Sequence, residues 1–251
     1  MSKLAVLILT RNEENKIKTC IEEALLCADE VIIIDSGSTD KTVDVAKTAG
    51  AKVCYREWNN DFAAQRNFAL ENTEAEWVLY LDADERMSEE MITDINKIVK
   101  SESVHLQYKM LRCTTAFGKK FKYGVLSPDY VLRMFPRSTV KWQGQVHERA
   151  VCDLPVKQLK GYLKHYTYDN WEQYIAKMNQ YSSIGATNNK LNGKKAHFFK
   201  DIFLRPIFAF VKMYFLKLGF LDGKLGYVLA VNYANYTMNK YVKLLSIQDR
   251  D

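Results

Sequence analysis

The chain has 251 residues, 47% of them hydrophobic, enough for a full-sized core and too many for a generally disordered protein. Lys and Arg number 36 against 30 Asp and Glu, a net +6 that by itself admits nucleic acid or a membrane surface as partner. The charge is unevenly spread. Residues 1–155 hold 21 basic and 24 acidic side chains, residues 156–251 hold 15 and 6, and the second stretch carries 18 of the 31 aromatics. An acidic front part (1–155) and a basic, aromatic tail part (156–251) are therefore expected, and a uniformly basic nucleic-acid binder is disfavoured.

In chain order, residues 4–9, 31–34, 51–55 and 77–81 read as short buried strands. Residues 14–26, 40–49, 62–72 and 88–99 read as the helices between and after them. Gly50 ends the second helix, and Ser88 with Glu89 and Glu90 opens the fourth. This alternation predicts an α/β fold with a mostly parallel sheet flanked by helices. Residues 104–113, 119–123, 130–135 and 140–142 then read as strands that extend the sheet by antiparallel pairs. From Trp171 onward the pattern is helical, a C-terminal extension.

Residues 198–220 are the apolar high point, yet they contain Lys200, Asp201, Arg205, Pro206, Lys212 and Lys217, too many interruptions for a spanning helix. They suit a packed helical subdomain or an interfacial helix pair, with aromatics in lipid and Lys and Arg at anionic headgroups. Five cysteines without C-x-x-C spacing suit buried thiols in a reducing cytosol, and the apolar start meets Arg11, Glu13 and Glu14 too soon for a secretory signal.

Open α/β sheets bind ligands beyond the carboxyl ends of their strands, and three such ends are polar here. After the first strand comes Thr10-Arg11-Asn12-Glu13-Glu14, with neither G-x-G-x-x-G nor G-x-x-x-x-G-K-[ST], which disfavours a dinucleotide fold or a P-loop. After the second comes Asp35-Ser36-Gly37-Ser38-Thr39-Asp40, where Ser38 to Asp40 suit a helix cap and Asp35 suits a ligand. After the fourth comes Leu81-Asp82-Ala83-Asp84-Glu85, three carboxylates in four residues, an arrangement expected to surround a hard divalent cation.

The order T-R-N-E-E, D-S-G-S-T-D, D-F-A-A-Q-R-N and L-D-A-D-E resembles the family-2 inverting glycosyltransferases of GT-A fold. With R-M-F-P-R, Q-V-H-E and F-L-D-G-K-L-G, the chain is similar to the bacterial lipopolysaccharide/lipooligosaccharide core β-1,4-glucosyltransferase subgroup. The resemblance implies a UDP-sugar donor (UDP-glucose), Mg²⁺ or Mn²⁺, and a lipid-linked inner-core acceptor. It further implies a cytoplasmic enzyme, peripheral on the inner face of the cytoplasmic membrane and contacting its anionic surface, with no nucleic acid. It places Thr10, Asn12 and Glu13 along the uridine, Asp35 at the uracil or ribose, and Arg66 at the nucleotide. Asp82 would reach the ribose or metal and Asp84 would ligate the cation. Glu148, in Gly144-Gln145-Val146-His147-Glu148, is the candidate general base, Asp129 and Asp153 its rivals, and His147 a second metal ligand or the group that orients the base. The E-D pair that many members carry as base motif is absent. His105, His165 and His197 have no carboxylate or cysteine at ligand spacing and read as structural. The aromatic stretch 162–171 suits an acceptor groove or a core.

Two other readings compete: a member of the same family acting on another cell-surface glycan, and a non-catalytic membrane-binding protein on a relic of the fold. A nucleotidyltransferase is disfavoured because the first loop has no glycine with which to cradle a triphosphate.

Overall fold

The structure is a computed structural model that describes residues 3–101, 105–144 and 148–248. Its elements run β1 (Leu4–Thr10), α1 (Ile17–Ala24), β2 (Glu30–Asp35), α2 (Thr42–Thr48), β3 (Lys52–Tyr55), α3 (Phe62–Glu71), β4 (Trp77–Asp82), β5 (Glu85–Met87) and α4 (Glu89–Lys100). They continue through β6 (Gln107–Ala116), β7 (Lys119–Lys120), β8 (Asp129–Pro136), β9 (Lys141–Gln143), β10 (Arg149–Val151), β11 (Val156–Tyr168) and α5 (Trp171–Leu191). Residues 198–216 form one helical run, π-helical over Phe198–Leu204 and Lys212–Leu216 and α-helical over Arg205–Val211 (α6); α7 (Gly223–Gln248) follows.

The chain packs as two compact units, Met1–Arg112 with Asp129–His165, and Cys113–Pro128 with Tyr166–Asp251. The first is the expected α/β fold. The sheet order is β3-β2-β1-β4-β8-β6-β11-β5, with β7 beside β6, and a two-stranded β9–β10 hairpin stands apart. β3, β2, β1 and β4 are parallel neighbours, while β8 joins β4 antiparallel. The chain winds outward from β1 to β3, then returns to β1's other side as β4. This reversal opens a crevice at the strands' carboxyl ends. Register puts Thr10 opposite Asp35 and Leu9 opposite Asp82, so the three polar loops expected from the sequence start side by side.

The sheet's two faces feed two cores. Leu4, Val6 and Ile8 pack with Ile17, Cys20 and Ile21 of α1 and with Met91 and Ile95 of α4. Ala5 and Leu7 pack on the other face with Ile32, Ile34, Ala63, Ala69, Tyr80, Phe135 and Trp142. Burying each large aliphatic side chain contributes about 1.5–3 kcal/mol, which is why these runs form strands although both faces are apolar. Cys20, Cys27 and Cys113 are buried as expected, but Cys54 and Cys152 are partly exposed.

In the second unit, α5 and α7 pair, and an aromatic knot of Phe117, Tyr168, Trp171 and Tyr174 forms around buried Phe121. Residues 113–128, which composition groups with the front part, belong here because Phe121 is fully buried in that knot. The F-L-D-G-K-L-G segment is a clasp. Asp222 accepts the Tyr123 N–H at 3.0 Å, its carbonyl accepts from the Lys119 ammonium at 2.7 Å, and a Cβ on Gly226 would overlap the Gly219 carbonyl. Among the described residues no helix is long and apolar enough to cross a membrane.

Candidate functional site

The first two loops are laced together. Asn12, in a left-handed conformation (φ 56°), accepts the Thr39 N–H on its Oδ1 at 2.8 Å and donates its own N–H to Ser38 Oγ at 2.9 Å. The Glu13 N–H donates to Thr42 Oγ1 at 2.8 Å. Asp35, expected at a ligand, spends its buried carboxylate on its own loop, accepting the N–H groups of Gly37 (2.9 Å) and Ser38 (3.0 Å) and the Ser38 hydroxyl. These side chains fix a ledge at the ends of β1 and β2. Thr10 differs: its buried hydroxyl finds no hydrogen-bond partner among the described residues.

The D-F-A-A-Q-R-N segment builds the adjoining wall. Asp61 caps α3 by accepting the Ala64 N–H, and buried Gln65 donates to the Arg56 and Glu57 carbonyls. Asn67 acts like a strand partner: its amide donates to the Trp142 carbonyl and accepts the Trp142 N–H, both at 2.9 Å. It thus holds β9, whose partner β10 begins directly after Glu148. Between them, buried Arg66 directs Nη2 to Asp82 Oδ1 (3.3 Å) and Glu148 Oε1 (3.7 Å), with its guanidinium 4.7 Å over the Trp142 ring. Its Nε and Nη1 have no acceptor among the described residues.

The three carboxylates after β4 do not share one point. Asp82 turns to Arg66 and to Arg133 of β8, 2.5 Å away. Burial pushes its pKa up, but the guanidinium charges of Arg133 and Arg66 outweigh this and hold the carboxyl well below the usual range. Glu85 points inward and is fully buried. It accepts the Asp82 N–H at 3.1 Å and faces Arg133 (3.4 Å) and Arg112 (3.5 Å). Burial raises its pKa against the pull of Arg133. Arg86 folds back onto the carbonyls of Ala83, Glu85 and Lys16 and fixes the turn. Asp84 alone stands apart, its Oδ2 3.4 Å from Nε2 of His165.

His165 is thus a correction: read from the sequence as lacking a carboxylate partner, it is brought beside Asp84 by β11 pairing with β5. Arg112 and Arg133 were also not anticipated. Of the rival bases, Asp129 forms a two-pronged ion pair with Arg112 (3.0 and 2.7 Å), and Asp153 is exposed. His147 lies outside the described residues. Among the described residues no three His, Cys, Asp or Glu groups converge as a metal cage. A carboxylate oxygen and an imidazole nitrogen 3.4 Å apart nevertheless fit two neighbouring ligands of one divalent ion.

The family model described as Glycosyl transferase family 2 matches residues 5–123. An uncharacterized glycosyltransferase of Rickettsia typhi is 30% identical over 100% of this chain and 90% of its own length. The lipopolysaccharide core biosynthesis glycosyltransferase LpsC of Rhizobium meliloti is 28% identical, covering 96% of this chain and 91% of that protein. Among solved structures, S. aureus TarS 1–349 aligns at 18% identity over 99% of this chain and 91% of that one, with a TM-score of 0.47.

Proposed function

From the premise that the chain belongs to glycosyltransferase family 2, we propose that it transfers a sugar, glucose, from a UDP-sugar to the inner core of a lipid-linked saccharide, with inversion. The observation that carries this is the placing of Glu148, Arg66 and Asp82 on one wall of the crevice, with Asp84 and His165 at the turn after β4. The acceptor class is supported by the likeness to LpsC over nearly the whole chain. The acceptor's lipid anchor puts the work at the anionic inner face of the cytoplasmic membrane.

In this reading residues 1–155 are the donor-binding and catalytic part and residues 156–251 the acceptor- and membrane-facing part. Thr10, Asn12, Glu13 and Asp35 form the ledge for uridine, and the unsatisfied Thr10 hydroxyl is the group left to bond it. Asp82 anchors Arg66, whose two unsatisfied N–H donors serve ribose or diphosphate oxygens. Asp84 and His165 would hold Mg²⁺ or Mn²⁺, with His147 as a further ligand. When bound, the cation neutralises the charge of the departing UDP diphosphate.

Glu148 is the general base. Its carboxylate, 3.7 Å from Arg66, accepts the proton of the acceptor hydroxyl. That oxygen then bonds to the anomeric carbon as the bond to UDP breaks on the opposite face. The test is UDP release and product mass with UDP-sugars, Mn²⁺ and extracted lipid acceptor. Asp84→Ala should abolish transfer in a folded protein; full activity of that variant would sink the metal role. Tight vesicle binding without turnover of any UDP-sugar would favour the non-catalytic alternative.

A further inference from the structure

The helical run 198–216 turns Asp201, Ala209, Phe210 and Tyr214 inward, the two rings meeting Tyr227 of α7. Its opposite side is exposed among the described residues. Phe199, Phe203, Ile207, Val211 and Phe215 follow one another at intervals of four and are 65, 53, 50, 36 and 53% exposed. The next row, Lys200, Leu204, Phe208, Lys212 and Leu216, is exposed as well. An α-helix with 3.6 residues per turn would let such rows drift around the axis. The π turns on both sides of α6 widen the winding toward about four residues per turn, so the rows run straight. The result is a continuous apolar ridge of a kind that monomers seldom leave bare.

Charge selects what covers it. Between residues 173 and 248 the only acids are Asp201 and Asp222, and both are buried. Asp201 is consumed by Arg205 and the His197 N–H, and Asp222 by the N–H groups of Lys122 and Tyr123. Lys194, Lys195, Lys200, Lys212, Lys217 and Lys224 are all exposed. Among the described residues of 173–248 the surface is thus cationic, with no exposed acid to relieve it. A second copy would set these lysines against their own kind.

We propose that residues 198–216 lie in the plane of an anionic bilayer leaflet, with the Phe199–Phe215 row sunk at the boundary of headgroups and acyl chains. Lys200, Lys212 and Lys217 reach back to lipid phosphates along their own apolar stems. The ridge lies on the surface and does not cross it. The inference rests on the reading that the chain works at a membrane, and not on its transfer chemistry.

The experiment is flotation of the full chain with vesicles of phosphatidylcholine alone or mixed with phosphatidylglycerol. Wild type should float with the mixed vesicles and be released by salt. Phe203→Asp with Ile207→Asp should weaken binding at least about tenfold, leaving the melting temperature and UDP-sugar binding by calorimetry unchanged. Phe208→Trp should shift its emission to the blue and be quenched by brominated acyl chains. Undiminished binding of the double variant would overturn the ridge as the contact while leaving membrane binding standing. No wild-type flotation would overturn both. A wild-type dimer that the double variant dissociates would assign the ridge to a second copy and overturn the proposal. Loss of transfer with flotation intact would bear on the proposed chemistry alone.

Discussion

One guanidinium organises one wall of the crevice. Arg66 lies between Asp82 and Glu148 and over Trp142, so it serves as a counter-ion to both carboxylates and is held flat by an aromatic ring. Glu148→Gln keeps the shape and removes the basic oxygen; kcat should fall about 10²–10⁴-fold with UDP-sugar affinity retained by calorimetry. Glu85 has another task. It bonds the Asp82 N–H and balances Arg133 and Arg112 from a fully buried position. Glu85→Ala should lower stability by about 1–3 kcal/mol in chemical denaturation, because it removes one of the two carboxylates that balance buried Arg133 and leaves the Asp82 N–H without its acceptor. Glu85→Gln should lose less, since it still accepts the Asp82 N–H. Asp82 also has a pH signature. Its folded-state pKa is depressed, so its stabilisation is complete above about pH 4 and is lost as the pH falls through the folded value. Glu85, with its pKa raised, acts in the opposite sense: its contribution is present below about pH 4.3 and shrinks above. Asp82→Asn should flatten the acid limb of a melting-temperature profile.

At the scale of elements, what could be read in advance was what periodicity and caps encode. β1 to β4 were legible as apolar runs, α4 began after its expected Ser88 cap, and the loop carboxylates followed from strand ends. α1 starts later than its apolar spacing suggests because Glu13 first closes a turn onto Lys16 and Ile17. β11 was not legible. Its inward row runs Leu159, Gly161, Leu163, with a glycine where a strand normally shows a large side chain, and Lys160 and Tyr162 fill the positions between. The structure explains the gap: Gly161 has φ 75°, and a Cβ there would lie 2.4 Å from Ser88 Oγ and 2.6 Å from the Met91 nitrogen. Gly161→Ala should cost at least about 2 kcal/mol, measurable as a lowered melting temperature. Missing β11 hid His165. Arg133 went unread for a related reason: it meets Asp82 through β8 pairing with β4, 51 residues along the chain. Cys20 and Cys27 show burial in another way, for it pushes both thiols up to about 12. At pH 8 neither should be alkylated in the native protein, as peptide mapping by mass spectrometry can check.

Across the whole molecule, the net charge of +6 conceals two chemistries. Acids are concentrated where loops must be tied and guanidinium groups held, as at Asp35, Asp82 and Glu85. In the second unit the two acids between residues 173 and 248 are buried as clasps, leaving lysines to set the surface. The basic tail anticipated from composition is therefore not simply a charged segment; its cations flank an apolar ridge. Transfer from a UDP-sugar with Glu148 as base is open to a direct test. The most direct measurement is a donor screen with Mn²⁺ and extracted lipid acceptor, wild type beside Glu148→Gln, scored by product mass and UDP release. Wild type should add one hexose per UDP released, and the variant should lose both while still binding UDP-sugar. Transfer by Glu148→Gln at the wild-type rate would contradict the role of Glu148 as base.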